Sequence, residues 1–279
     1  MKENQVLIKV TKKDNNKTLE NYLLEFKVSK SYINNLFNLK KIMVNDQIQK
    51  NGCMILSAGD TISIYLPIED IPPYEKEIMV LYEDDFILVV NKPKNILVHT
   101  DGVTNETLTN AIYWYFVNKK IDCVAYPIHR LDYETTGIVI FAKNKFALSY
   151  LSVAIESHEV KKEYVCLCRG IFKKENGEIT SSIGKNRHNN LQIISKTGKQ
   201  AYTKYQVLQN GKISKVKVQI EHGRKHQIRV HLASINHPIV GDKLYGKNEK
   251  ENLKLHFRMV EFRHPLTKEK IKIQCKEEF

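Results

Sequence analysis

The first seventy residues place apolar side chains at two different spacings. Intervals of three and four residues, typical of a helix with one buried face, follow Thr18 and again follow Ser29, and both hydroxyls are suited to cap the helices. Alternation typical of a half-buried strand runs over residues 61–66, after a turn predicted at Gly59. These patterns predict a small α/β unit over residues 1–70. Its helical apolar positions are Leu19, Tyr22, Leu23, Phe26, Tyr32, Ile33, Leu36 and Phe37.

Residues 69–76 separate this unit from the rest of the chain. Pro72 and Pro73 lack a backbone donor and bias their neighbours towards extended geometry, which predicts a linker. Beyond it, strand-like runs and helical patterns do not alternate regularly, so residues 77–279 are predicted to form an α+β domain around a mixed, largely antiparallel sheet. The predicted strands cover 78–82, 86–91, 138–142, 164–169, 202–208, 216–220, 253–260 and 271–274, and the predicted helices cover 108–119, 145–158 and 226–235.

The charge of the chain points to a class of partner. Its 279 residues include 44 Lys and Arg against 31 Asp and Glu, a formal net charge of +13. This excess favours a polyanion such as nucleic acid, although a solvated lysine-rich surface has the same composition. No apolar run approaches the roughly 18–20 residues that span a bilayer, and the N-terminus lacks a signal-peptide pattern. We therefore expect a cytoplasmic protein with no membrane partner.

The five cysteines are scattered and odd in number, so they predict no disulfide framework. Cys166 and Cys168 alternate within an apolar run, which places them on one face of a strand. No second pair of Cys or His stands at zinc-site spacing, and His226 and His231 are five residues apart, a spacing that does not share a helix face well. We expect core packing for Cys166 and Cys168, and no metal site.

Two basic stretches carry candidate chemistry. In residues 127–137, Asp132 stands close to Arg130 just before a glycine and a buried strand, an arrangement that holds a reactive carboxylate on a loop over a rigid sheet. In residues 223–233, Ile228 and Leu232 would face the core, and Arg229 would follow about 100° around the helix axis, able to reach an acidic side chain or a phosphate. Taken alone, a structural ion pair and a solvated basic helix face explain them equally well.

Two further stretches have ordinary explanations when considered singly. Lys92 lies where a strand breaks at Pro93, and a surface charge accounts for it. Tyr164 follows Lys162 at the start of a strand, and a core aromatic accounts for it.

Together, the four stretches resemble, in order and spacing, the RluA-type pseudouridine synthases of large-subunit ribosomal RNA. The resemblance covers residues 77–279 and implies the pseudouridine synthase fold. The motifs that carry it are Asn91-Lys92-Pro93 with His99, His129-Arg130-Leu131-Asp132 with Gly137, Lys162-Glu163-Tyr164, Gly223-Arg224 with His226-Gln227-Ile228-Arg229 and His231, and His237-Pro238-Ile239 with Gly241-Asp242.

The first seventy residues resemble the small RNA-binding domain first named for ribosomal protein S four, a common companion of this family. That domain pairs two helices with a short hairpin and binds structured RNA through a basic helix face. Val44-Asn45-Asp46 stands where that domain usually has Val-Asn-Gly. The resemblance implies RNA binding by Lys30, Lys40 and Lys41.

The family resemblance implies a role for each matching residue. Asp132 would attack the target uridine or remove a proton from its ribose, so that the glycosidic bond breaks and uracil rejoins ribose through carbon five. Tyr164 would stack on the flipped base, Arg229 would pair with Asp132, and Arg130 would fill the gap left in the RNA. The other implied RNA-binding residues of this domain are His129, Lys92 and Arg224.

The sequence therefore predicts an enzyme that isomerises uridine to pseudouridine in structured, ribosomal RNA. Such a reaction has no redox change, so no cofactor is expected, and we expect a monomer. The alternative is a non-catalytic RNA-binding or ribosome-assembly protein that retains the fold, but Asp132, Tyr164 and Arg229 are all present. A nuclease would need clustered acids that the motifs do not contain.

Overall fold

The computed structural model describes residues 3–67, 71–186, 191–247 and 249–279. Its N-terminal part is a four-stranded antiparallel sheet, in the order β1-β4-β2-β3, with two helices. In chain order the elements are β1 (Glu3–Lys9), α1 (Leu19–Leu24), α2 (Lys30–Asn38), β2 (Ile42–Val44), β3 (Gln47–Ile48) and β4 (Thr61–Pro67). A short 3₁₀ turn, Lys12–Asp14, precedes α1.

The local signals in this part act as the sequence predicts. The hydroxyl of Thr18 accepts a hydrogen bond from the Asn21 N–H at 3.3 Å, and that of Ser29 accepts from the Tyr32 N–H at 3.1 Å, so both helices begin at their predicted caps. The tight turn between β2 and β3 has two central residues with positive φ, Asn45 and Asp46, at 48° and 61°. This geometry explains how Asp replaces the usual glycine there, because Asn and Asp tolerate left-handed backbone.

The remaining strands form a ten-stranded sheet and a separate hairpin. Along its main path the large sheet has the order β10-β13-β14-β9-β15-β8-β6-β5, with β16 beside β15 and β7 beside β8, while β11 and β12 pair only with each other. The strands are β5 (Met79–Glu83), β6 (Ile87–Lys92), β7 (Tyr126–Pro127), β8 (Thr136–Ala142), β9 (Lys161–Arg169), β10 (Asn176–Ile179), β11 (Ile183–Lys185), β12 (Gln192–Ile194), β13 (Thr203–Gln209), β14 (Ile213–Ile220), β15 (Leu255–Arg263) and β16 (Lys270–Gln274).

Three helices accompany this sheet: α3 (Leu108–Asn118), α4 (Lys145–Glu156) and α5 (Gln227–Ser234). The β8–β15 pair is parallel, and the other strand pairs of the described residues are antiparallel. The predicted α+β class with a mixed, largely antiparallel sheet is therefore confirmed. No helix in the described part of the chain is both long and apolar enough to cross a membrane.

The N-terminal sheet and the large sheet share one continuous hydrophobic core. The ring of Phe26, just after α1, stacks on Phe86 at 6.2 Å between centroids and meets the ring of Phe146 edge-on at 5.6 Å. The Ser149 hydroxyl also donates a 2.6 Å hydrogen bond to the carbonyl of Lys27. The two parts are therefore packed against each other. The predicted boundary at residue 70, with the first two linker residues, 69 and 70, lies outside the described residues.

Candidate active site

Asp132 lies on the loop between β7 and β8, and its side chain is 26% exposed. Backbone contacts brace the loop, since the Thr135 N–H donates to the Asp132 carbonyl at 3.1 Å and the Asn95 N–H donates to the Tyr133 carbonyl at 2.9 Å. Gly137 ends it with a φ of 113°, and a Cβ there would stand 2.5 Å or less from backbone atoms of Phe257. The glycine is therefore required for the close parallel approach of β8 to β15 below the carboxylate.

Arg229, on α5, is the direct partner of this carboxylate. Its Nη1 donates to Oδ2 of Asp132 at 3.2 Å, while its Nε and Nη2 donate to the two oxygens of Asp242, each at 2.8 Å. The side chain is only 3% exposed. Burial alone would lower the pKa of Arg229, but hydrogen bonds and charge from Asp242 and Asp132 raise it above its ordinary value. The guanidinium is thus a permanent, fixed cation beneath Asp132.

Asp242 is the member of this cluster that sequence reasoning did not assign. It has no exposure, and besides Arg229 it accepts hydrogen bonds from the N–H groups of Leu244 and Tyr245, at 3.0 and 3.1 Å. Gly241 before it has a φ of 78° and approaches Asn252 so closely that a Cβ would lie 2.0 Å from its carbonyl oxygen. The sequence did carry one signal for this role, the Gly241-Asp242 pair that follows the apolar residues Ile239 and Val240. A carboxylate that is buried with such residues needs a partner of opposite charge.

Tyr164, on β9, lines the same cleft and is 7% exposed. Its ring stacks on Phe257 with centroids 4.5 Å apart and planes 11° apart, so one face is already covered. Burial, reinforced by the charge of Asp132, raises the pKa of the Tyr164 phenol and keeps it neutral. Tyr164 therefore adds an aromatic side chain to the wall of the cleft.

The cleft is narrow, with a cavity volume of about 70 Å³. Both Arg130 and Arg224 stand on its wall, and Nε of Arg224 donates to the Gln200 carbonyl at 3.1 Å. The cleft therefore combines one paired carboxylate with an aromatic ring and two further guanidiniums. Its lining consists of Arg130, Leu131, Asp132, Thr135, Tyr164, Ile220, Gly223, Arg224, His226, Gln227, Ile228, Arg229 and Leu255.

The structure contradicts the predicted RNA contact of Lys92. This lysine is fully buried, and its Nζ donates to the carbonyls of Pro93, Ile96 and Tyr133 at 2.9 to 3.0 Å. All three ammonium hydrogens are therefore used inside the protein, and none is left for a phosphate. Burial lowers the pKa of Lys92 to about 7, opposed by the charge of Asp132. Its observed role is to tie two loops together behind the cleft.

His129 is partly buried against the sheet. Its Nε2 accepts a 3.3 Å hydrogen bond from the Ile140 N–H, and its ring packs edge-on against Phe257 at 5.5 Å. Burial lowers the pKa of this imidazole to about 3, so it is neutral and faces the sheet. A neutral imidazole can contact RNA only through hydrogen bonds or stacking, and the RNA contact of His129 stays a prediction.

The lysines predicted to bind RNA in the N-terminal part differ from one another in their exposure and in their ion pairs. Lys40 is exposed. The side chain of Lys30 is 65% exposed and lies 3.3 Å from a carboxylate oxygen of Glu20, whereas Lys41 is paired with Glu3. Two of the three thus keep broad access to solvent.

Cys166 and Cys168 are free and buried on one face of β9, as predicted, with their sulfurs 3.6 Å apart. Cys53 is exposed. Within the described ranges there is no cluster of three or more His, Cys, Asp or Glu side chains that could hold a metal ion.

Comparison with known proteins supports the family suggested by the motifs. Residues 86–234, slightly more than half of the chain, match the family described as RNA pseudouridylate synthase. An uncharacterised RNA pseudouridine synthase of Bacillus subtilis (strain 168), YhcT, is 36% identical over 257 residues, covering 88% of this chain and 84% of that protein. The ribosomal large subunit pseudouridine synthase D of Haemophilus influenzae is 32% identical over 263 residues, covering 86% of this chain and 81% of that protein.

A solved structure agrees with these relatives. Human RNA pseudouridylate synthase domain containing 1 superposes with a TM-score of 0.64 at 25% identity, over 75% of this chain and 86% of that chain. The resemblance to the pseudouridine synthases and the predicted fold are both confirmed. This chain belongs to the RNA pseudouridine synthase family and is an isomerase that acts on RNA.

Proposed function

We propose that this enzyme converts specific uridines of structured large-subunit ribosomal RNA to pseudouridine, with Asp132 as the reacting carboxylate. The observation that carries the proposal is the contact between Asp132 and the buried guanidinium of Arg229 at the cleft wall, 3.2 Å apart. The ribosomal substrate is supported by the similarity to the Haemophilus influenzae ribosomal large subunit enzyme. The net charge of +13 suits a polyanionic substrate.

The first step is extrusion of the target base. A stacked uracil cannot reach a carboxylate that lies within a cleft, so it must leave the stack at an energy of about a few kcal/mol. Contact with the available part of Tyr164 recovers some of this, since base–aromatic stacking contributes about 1 to 3 kcal/mol. Arg130 is exposed beside the cleft, where it is able to occupy the gap left in the RNA.

The second step is exchange of one bond for another. The bond between ribose carbon one and uracil nitrogen one breaks, a bond from that ribose carbon to uracil carbon five forms, carbon five loses its proton, and nitrogen one gains one. Asp132 reacts as a carboxylate in this sequence, and the Arg229 guanidinium holds one of its oxygens in place through a 3.2 Å hydrogen bond. Because two carboxylates share Arg229, Asp132 has a counter-ion without being fully neutralised.

The N-terminal part has a role of its own in this proposal. We assign residues 1–70 to an RNA-binding domain of the S-four type and residues 77–279 to the catalytic domain. Lys30 and Lys40 present exposed ammonium groups along α2 and just after it, and Lys41 adds a partly paired one. We further propose that the enzyme works as a monomer in the cytoplasm.

Asp132→Asn tests the catalytic assignment. With large-subunit ribosomal RNA transcribed with 5-tritiated UTP, wild type should release tritium, and the variant should bind the RNA yet react about 10²-fold to 10⁴-fold more slowly. The matched control is Glu134→Gln, because Glu134 is a partly exposed carboxylate on the same loop, 3.7 Å from Lys243. Full tritium release by Asp132→Asn would refute the role given to Asp132.

A further inference from the structure

The residue before α5, His226, has an unusual backbone and a ring that lines the cleft. Its φ of 56° is left-handed, a region that non-glycine residues occupy rarely, and its side chain is only 11% exposed.

The neighbour that orients this ring is Tyr245. Its hydroxyl lies 2.9 Å from Nδ1 of His226, and its oxygen also accepts a 3.1 Å hydrogen bond from the Gln192 N–H of β12. The face of the same tyrosine ring lies over the Arg229 guanidinium, with the Cζ atom 5.4 Å from the centroid. Tyr245 thus contacts both the histidine and the arginine that flank Asp132.

These contacts favour one tautomer of the His226 imidazole. The Gln192 N–H has only its hydrogen to give, so the Tyr245 oxygen accepts in that bond and its own hydrogen is free to be donated to another partner. In the described part of the chain, Nδ1 of His226 is the acceptor within reach. Burial, the largest influence, lowers the pKa of His226, so the ring is neutral. A neutral ring that accepts at Nδ1 bears its hydrogen on Nε2.

The Nε2 atom faces the catalytic carboxylate. It lies 3.8 Å from Oδ1 of Asp132, the oxygen other than the one held by Arg229. That distance is longer than a hydrogen bond, as is common for catalytic contacts before substrate closes a site. Arg229 and His226 therefore flank Asp132, one beside each carboxylate oxygen.

We propose that His226 is a positioning residue for pseudouridine formation: Tyr245 fixes its Nε2–H tautomer, and that N–H donates to Oδ1 of Asp132 when RNA occupies the cleft. The inference rests on the role proposed for Asp132. The proposal also excludes Nε2 of His226 as the base that removes the proton from uracil carbon five, because a nitrogen that already bears a hydrogen can only donate it.

The tautomer is directly measurable in the wild-type protein. In a sample labelled with ¹⁵N-histidine, long-range ¹H–¹⁵N spectra distinguish protonated from unprotonated ring nitrogens, and loss of one ring system in His226→Gln assigns the signal. We expect a protonated Nε2 in wild type and a shift towards mixed tautomers in Tyr245→Phe, which keeps the ring over Arg229. A protonated Nδ1 in the wild-type protein would overturn the proposal.

Matched substitutions test the donor in catalysis. His226→Gln retains an N–H near the former Nε2 position, while His226→Met has similar length and no donor, and both must adopt the same backbone. With saturating tritiated ribosomal RNA, His226→Met and Tyr245→Phe should react about 10-fold to 100-fold more slowly, the usual loss when an orienting partner is removed. His226→Gln should stay within about threefold of wild type, and KM should not change in any of the three.

The outcomes separate this inference from the proposed function. If Asp132→Asn is inactive and His226→Met reacts at the wild-type rate, the role of His226 is wrong and that of Asp132 stands. If His226→Gln and His226→Met lose the same activity, the ring serves packing alone and the proposal is again wrong. Full activity in Asp132→Asn would instead remove the proposed function itself.

Discussion

Two groups of cationic side chains contrast sharply in their surroundings. Lys30 and Lys40 belong to the N-terminal part and lie at the surface, where Lys30 meets a carboxylate only loosely. Arg229 and Lys92 belong to the catalytic part, where both are buried with their donors occupied by protein oxygens. The first group remains free to attract a polyanion, and the second fixes the position of a carboxylate and its loop.

This difference predicts two separable kinds of effect. Exposed charges act over long range, are screened by salt, and influence how tightly and how fast RNA binds. Buried charges are tied into hydrogen-bond networks, so their removal disturbs stability and chemistry together. Variants of each group should therefore change different measurements.

Asp242→Asn should give the largest effect. It halves the charge that faces Arg229 inside the protein, and breaking a buried ion pair typically removes about 3 to 5 kcal/mol from the free energy of unfolding. Because Arg229 would no longer be held on its Asp242 side, tritium release should also fall, at saturating RNA. Urea unfolding and the tritium assay measure the two effects.

The control is a similar pair outside the cleft. Arg169 donates to both oxygens of Glu249 at 2.8 Å, but the arginine is 41% exposed. Glu249→Gln should leave the rate of tritium release unchanged. An equal loss of activity in both variants would show that burial of the Asp242 pair has no special importance.

Lys92→Met should have an intermediate effect, on stability above all. Three carbonyls would lose their donor, and leaving buried polar groups unsatisfied typically removes about 1 to 3 kcal/mol. Lys94→Met, which removes an exposed lysine from the same loop, is the control and should change little.

Lys92→Met should also alter how the free energy of unfolding depends on pH. The pKa of Lys92 is about 7 in the folded protein, against an ordinary value of 10.5. Between these values the unfolded chain binds more protons, so the contribution of Lys92 makes the free energy of unfolding rise with pH, by up to about 1.4 kcal/mol per pH unit. Urea titrations at several pH values from 7 to 9 should show a shallower rise in Lys92→Met, and identical slopes would contradict the burial of this ammonium.

The combined substitution Lys30→Gln and Lys40→Gln should have the smallest effect on the enzyme itself. The rate at saturating RNA and the free energy of unfolding should stay at wild-type values. The salt dependence of RNA binding, plotted as log K against log salt concentration, should lose about one unit of slope for each lysine that contacts a phosphate. The control, Lys50→Gln, removes an exposed charge elsewhere in the N-terminal part. If it changed the slope as much per lysine as the double substitution does, RNA binding by α2 and its C-terminal end would be contradicted.

Local signals made much of the fold predictable from sequence. Thr18 and Ser29 cap the first two helices as expected, since a cap requires only a hydroxyl beside an apolar repeat. Strand β1 was not predicted, because its short alternation, with Val6 and Ile8 buried, is embedded in a polar N-terminus and is stabilised by pairing with β4. Because the partner strand lies some sixty residues away, the residues of β1 alone do not reveal that they will form a strand.

The site shows the same division between local and distant information. The contact of Asp132 with Arg229 was anticipated from the family motifs, while the bidentate contact of Asp242 was not. Lys92 was expected at the surface, as almost all lysines are, because nothing in its neighbours reveals that three carbonyls converge on its Nζ. Convergence of groups from separate loops is a property of the folded chain alone.

The packing of Phe26 against Phe86 and Phe146 has a consequence for how substrate is presented. On a flexible tether, a second binding site raises the effective concentration of RNA at the first over a broad range of separations. A docked unit instead sets one separation. If RNA binds α2 and reacts at Asp132 as proposed, RNA segments that cannot span this one distance should gain no affinity from the second contact.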